Sequence, residues 1–223
     1  MKKYGILFDY NGVIVDDEHI HEKVMVNIMS NLGVELTHDL FNEHCLGRTS
    51  QAGFENLIHA FSAKLKGCSA KALTEQKAKE YAELVKEESI IHPAIKTVLS
   101  RLSENYRLGL VTASPRSEVI PILEEENLLH YFEVVVTIDD VQKGKPDPEG
   151  YLKGISGVGL SKDQILIVED TPSGVAAAKA SGAKCIAVLH TVTRDKVKDA
   201  DIIVESVEEI TPSLVSEAMR EKS

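Results

Sequence analysis

Residues 5–19 read GILFDYNGVIVDDEH, and the opening of this stretch decides the fold. Gly5–Phe8 is a short apolar run that stops abruptly on Asp9. Its continuity, with no alternation of polar residues, suits a parallel strand covered on both faces. Similar runs follow at Leu108–Thr112, Val134–Thr137, Ile165–Val168, Cys185–Leu189 and Ile202–Val204. Helix-period segments follow most of them, such as Ser117–Glu126, Pro148–Ile155 and Ser173–Ala180. This alternation predicts an α/β fold built on a doubly wound parallel sheet.

One region departs from the pattern. From about His19 to Glu88 no strand is legible, only amphipathic helical stretches at Glu22–Leu32, Ala52–Leu65 and Ala70–Val85. An all-helical domain over residues 16–89 is therefore expected, inserted between two core segments, 1–15 and 90–223. Hinges are expected near Ile14–Asp17 and Ser89–Pro93. Ligands of open parallel sheets bind beyond the carboxyl ends of the strands, so an insertion leaving from that edge is expected to act as a lid.

The composition narrows the function. Apolar residues make up 43% of the 223 residues and charged residues 27%, ordinary values for a globular protein. The formal net charge is −10 and no Lys/Arg block stands out, which argues against a nucleic-acid partner or an anionic membrane surface. Lys2-Lys3 leads straight into a strand too short for a signal peptide or a spanning helix, so a cytoplasmic protein is expected. A monomer or weak dimer is the expected assembly, although no residue pattern fixes it. Cys45, Cys68 and Cys185 are odd in number, lack metal-type spacing and read as reduced thiols.

The chemistry gathers where runs end in polar residues. The first ends at Asp9, the second at Thr112 and the fourth at Glu169-Asp170, while Lys145 lies in KGKPDP after the third. Carboxyl ends of parallel strands converge. A carboxylate nucleophile, an acidic pair for a cation, a hydroxyl and a lysine are the parts that phosphoryl transfer needs. Mg²⁺, a hard ion, suits a few carboxylates with phosphate and water.

Four motifs carry a resemblance: FDYNGVIVDDEHIH (8–21), LVTAS (110–114), KGKPDP (143–148) and IVEDTPSGVAAAKASGA (167–183). In these the chain resembles the haloacid dehalogenase superfamily, in the branch of β-phosphoglucomutase and small phosphatases with a helical cap. The resemblance implies a Rossmann-like core in which Asp9 is the nucleophile and becomes an aspartyl phosphate. It implies that Thr112 and Lys145 hold the transferring phosphoryl group, aided by the backbone N–H groups of Ala113 and Ser114. Mg²⁺ would be bound by Asp9, Asp170 and the main-chain carbonyl of Asn11, with Glu169 nearby. In the cap, His21, Arg48 of CLGRTS and Lys77 of EQKAKEY match substrate-contacting positions. The implied substrate is a small phosphorylated metabolite such as a sugar phosphate, and the acceptor is water or, in a mutase, a second sugar hydroxyl.

The family normally has aspartate where this chain has Asn11, and an amide neither donates nor takes up a catalytic proton. Three readings stay open: an impaired variant that still binds phosphorylated ligands, a slow phosphatase for good leaving groups, and transfer of the acid's role to Asp17. At Asp17 the family usually has a small hydroxyl residue, and the alternative role there is a helix N-cap or hinge carboxylate. The Glu169-Asp170 pair argues against metal-free dehalogenase chemistry. GRTSQAG (47–53) lacks the Schiff-base lysine of phosphonoacetaldehyde hydrolases. DDEHIH (16–21) also raises a zinc site, but His19 and His21, two apart on a helix, point to different sides.

Overall fold

The computed structural model describes residues 2–85, 90–190 and 192–220. The chain divides into two compact units, Met1–Asp16 with Ile91–Ser223, and Asp17–Ile90. Of the two hinge stretches read from the sequence, Ile14–Asp17 spans one division and the other meets its division at Ile91; Ser89 lies outside the described residues.

The first unit is built on strands β1 (Gly5–Phe8), β2 (Arg107–Val111), β3 (Val134–Val136), β4 (Ile165–Glu169), β5 (Lys184–Val188) and β6 (Ile202–Val204). All pair in parallel, in the order β3-β2-β1-β4-β5-β6. The order reverses between β1 and β4, which is the switch point where doubly wound sheets bind ligands. The four inner strands are buried almost throughout, as their continuous apolar runs require, while the edge strands β3 and β6 are half-buried at their first two residues. Differences from the sequence reading fall at strand ends. Thr112 lies one residue past β2, yet its N–H still donates to Val136 O at 2.9 Å. β4 continues one residue further than expected and carries Glu169 into the sheet.

Around this sheet stand α5 (Ile95–Ser103), α6 (Arg116–Glu125), α7 (Glu149–Gly157), α8 (Pro172–Ser181) and α9 (Pro212–Met219), numbered after the four described helices of the second unit. Helix α7 packs on β1, β2 and β3, and α8 on β4 and β5. The close approach of α7 depends on glycines. A Cβ at Gly154 would stand 2.8 Å from Val111 Cγ2, and one at Gly157 2.6 Å from Val134 Cγ2. Leu7, Val111, Ile167, Tyr151, Ile155, Val175 and Ala178 share the resulting core.

The second unit holds α1 (Glu18–Asn31), α2 (His38–His44), α3 (Ser50–Ala60) and α4 (Ala70–Leu84), with no strand among its described residues. Thr37, Thr49 and Ser69 cap α2, α3 and α4 by accepting backbone N–H groups. Helix α1 begins four residues earlier than the apolar period indicates, and α3 stops at Ala60 rather than Leu65. Val24, Ile28, Phe41, Phe54, Leu57 and Leu73 are buried. No described helix is long and apolar enough to cross a membrane.

Candidate active site

Three neighbouring strands deliver the site. β1 lies between β2 and β4, with Phe8 opposite both Leu110 and Val168. Adjacent strands run about 4.8 Å apart, so Asp9, Thr112 and the Glu169-Asp170 pair emerge side by side at one sheet edge. Asp9 is anchored by its backbone, its N–H donating to Val168 O at 2.9 Å. Its Oδ1 accepts the N–H of Tyr10 at 2.8 Å and pairs with Lys145 Nζ at 2.8 Å.

Lys145 also reaches Glu169 Oε1 at 2.5 Å. Tyr151 Oη donates to the same oxygen at 2.5 Å. Glu169 Oε2 accepts the N–H groups of Asp170 and Thr171 and the Thr171 hydroxyl. Thr171 in turn caps α8, accepting Gly174 N–H at 3.2 Å, with Pro172 in the first turn. Gly174 is required here: a Cβ would lie 1.9 Å from the Glu169 carboxylate.

This burial has electrostatic consequences. Asp9 is pushed up to about 7, first by desolvation and then by the charge of Glu169, against the pull of Lys145. Burial alone would lower Lys145, but the charges of Asp9 and Glu169 win and raise it, so it stays a cation. Burial and the same two carboxylates raise Tyr151, which stays a phenol and a donor.

Oxygens of Asp9, Glu169 and Asp170 all lie within 4.8 Å of one another. This buried, all-oxygen donor set fits a hard divalent cation such as Mg²⁺. Because Glu169 is already engaged through both oxygens, Asp9 and Asp170 are the carboxylates suited to hold the ion. Glu169 is suited to orient Lys145.

Asn11 lies in the turn after β1, where Gly12 has φ +74° and its N–H donates to Val15 O at 2.7 Å. Ser114 Oγ donates to Asn11 Oδ1 at 2.7 Å, and Ser114 N–H donates to Thr112 Oγ1 at 3.0 Å. Of the two amides assigned to the phosphoryl group, that of Ser114 is thus turned onto Thr112.

A second polar cluster lies within the helical unit. Asp17 is fully buried at the start of α1 and makes no side-chain capping bond to that helix. Instead its Oδ2 accepts Tyr81 Oη at 2.5 Å and lies 3.1 Å from His21 Nε2. The His21 and Tyr81 rings stack at 4.5 Å, and Lys77, also buried, sits over Tyr81 at 4.7 Å. Arg48 is exposed in the turn between α2 and α3. Burial raises Glu18, against the pull of His21, and pushes the Cys45 thiol up to about 12.

Sequence reading missed Tyr151, Thr171, Gly174 and Tyr81. Tyr151 and Tyr81 look like helix core residues, and only the folded chain shows their hydroxyls on carboxylates. The T-P pair opening α8 was a legible cap signal.

A parallel sheet of this order, with carboxylates and a lysine at its switch point, defines a class. Over residues 6–188 the chain matches the haloacid dehalogenase-like hydrolases, and it belongs to that family. It is an enzyme of the phosphatase or phosphotransferase type. A phosphorylated carbohydrates phosphatase of Thermotoga maritima is 31% identical, over 86% of this chain and 88% of that protein. A validoxylamine A 7'-phosphate phosphatase of Streptomyces hygroscopicus is 26% identical, over 92% and 94%. The β-phosphoglucomutase of Clostridium difficile shares the fold, with a TM-score of 0.86, 22% identity and coverage of 98% and 97%.

Proposed function

We propose that this chain is a Mg²⁺-dependent phosphatase of small phosphorylated metabolites, with phosphorylated carbohydrates the leading class, and that it works through a phosphoryl group carried on Asp9. The observation that carries the reading is the setting of Asp9: buried at the switch point, paired to Lys145, and grouped with Glu169 and Asp170.

An Asp9 oxygen attacks phosphorus, and the bond from phosphorus to the sugar oxygen breaks. The leaving oxygen takes a proton from solvent, because Asn11 has none to give. Water then attacks the same phosphorus, loses a proton, releases inorganic phosphate and restores the Asp9 carboxylate. Lys145 and Thr112 hold the phosphoryl oxygens, and Lys145 offsets charge that would repel the incoming carboxylate. Mg²⁺, held by Asp9, Asp170 and the Asn11 carbonyl, supplies further charge neutralisation when bound. Residues 16–89 form the cap in this reading, and His21, Arg48 and Lys77 serve recognition of the rest of the substrate. The names of the Thermotoga and Streptomyces relatives support a phosphorylated sugar or sugar-like substrate.

Asn11 favours a second reading, a phosphometabolite-binding protein with impaired turnover. A phosphate-release screen over sugar phosphates, nucleotides and pyrophosphate, with Mg²⁺ or EDTA, separates the two. Mg²⁺-dependent release from a sugar phosphate is expected. Binding with no release from any of them gives the second reading.

A further inference from the structure

Asn11 precedes Gly12, and this pairing is open to intramolecular chemistry. With no Cβ on the glycine, its amide nitrogen approaches the preceding side-chain carbonyl unhindered. The fold adds a hydroxyl at the reacting group, since Ser114 Oγ donates to Asn11 Oδ1 at 2.7 Å. Asn11 is half-buried, so water reaches it.

We propose that Asn11 is a self-modification site, whose side-chain amide is lost to leave an aspartate two residues from Asp9. The Gly12 nitrogen bonds to Asn11 Cγ, its amide proton passing to solvent. The Cγ–Nδ2 bond breaks, and ammonia leaves with a proton. Water then opens the succinimide ring. Attack at Cγ breaks the new Cγ–N bond and gives aspartate on an unchanged backbone. Attack at the main-chain carbonyl gives isoaspartate, with the chain rerouted through the side chain. The balance is one water consumed, one ammonium released and one negative charge gained.

Two features favour aspartate. The Ser114 hydroxyl stabilises negative charge developing on Oδ1 in both the closing and the opening of the ring, which directs water to Cγ. The turn holds the ordinary backbone: Ile14 and Val15 N–H groups both donate to Tyr10 O, at 2.8 and 3.0 Å. One feature slows the reaction. The bond from Gly12 N–H to Val15 O must open before the nitrogen attacks, so conversion is slower in the folded chain than in the unfolded one. Only the consequence for turnover rests on the phosphatase reading. A carboxyl at residue 11 supplies the proton carrier that the amide lacks, help worth about 10²–10⁴-fold.

The test ages the purified full chain at physiological temperature and mildly alkaline pH and follows the peptide containing residue 11 by mass. A gain of one mass unit is expected, with a more acidic form on ion exchange. Cleavage before residue 11 by an aspartate-specific protease identifies aspartate as the main product. The same chain aged in urea is expected to give mainly isoaspartate. Folded Ser114→Ala is expected to convert more slowly and to lose the bias to aspartate. No mass gain in the folded chain while the urea sample converts would overturn the proposal. So would a majority of isoaspartate in the folded chain, or conversion of Ser114→Ala at an unchanged rate and product ratio. Turnover should rise with the fraction converted, towards that of Asn11→Asp. If conversion occurs and neither the aged chain nor Asn11→Asp releases phosphate, the modification stands and the phosphatase reading fails.

Discussion

Glu169 shows how the site is held at the scale of single residues. Lys145, Tyr151, Thr171 and the Asp170 amide all converge on its buried carboxylate. Tyr151→Phe removes one donor and should cost about 1–3 kcal/mol, the usual loss when a buried acceptor is left short. Urea unfolding measures it, and an unchanged midpoint would mean the phenol contributes nothing. Gly174→Ala should do more, because its Cβ overlaps the carboxylate and must push Glu169 away from Lys145. Phosphate release should fall in this variant even where it remains folded. Asp9, Lys145 and Glu169-Asp170 were legible because strand ends and motif order announce them. Tyr151 was not, since it acts on a residue eighteen places further on, a relation that no spacing rule encodes. Asp17 was read as a helix cap, a hinge carboxylate or a displaced acid; it makes no side-chain cap to α1, and its carboxylate is tied to Tyr81 and His21.

Among the secondary-structure elements, the strands were read within a residue because buried parallel strands leave unbroken apolar runs. Helix ends were harder. α2 buries only Phe41, too little apolar period to register, while α1 starts on Glu18, a polar residue that the apolar period does not count. Helix α5 carries helical spacing at Ile95, Val98, Leu99 and Leu102, but it lies beside the chain crossing rather than after a strand. That crossing contains a pH-sensitive group. His92 donates its N–H to Ile14 O, next to the Val15–Ile91 bridge, and its ring meets His190 edge-on at 6.4 Å. Burial first, then the charge of His190, lowers His92 from its ordinary 6.5. The folded chain therefore binds this proton more weakly than the unfolded chain does. The stability tied to His92 is complete above about 6.5 and is lost as pH falls through that value towards the lower folded one. His92→Asn keeps an acceptor for Ala94 N–H and should flatten this part of the stability–pH curve. An identical loss between pH 7.5 and 5 in both proteins would contradict the assignment.

At the scale of the whole molecule, the site gathers negative charge in a chain already at −10. A divalent cation that neutralises it should stabilise the fold by mass action, about 2.7 kcal/mol at a hundredfold excess over Kd. Mg²⁺ should therefore raise the melting temperature, and Asp170→Asn should abolish that rise; an equal rise in the variant would place the ion elsewhere. The division into a sheet unit and a helical unit was legible because strands stop after β1 and resume at β2. The most direct test of the whole account is intact-protein and peptide mass measurement after incubation with acetyl phosphate and Mg²⁺. The account requires the mass of one phosphoryl group on the peptide bearing Asp9, absent in EDTA and absent from Asp9→Asn. No added mass, or a phosphoryl group that persists in Asp9→Asn, would contradict it.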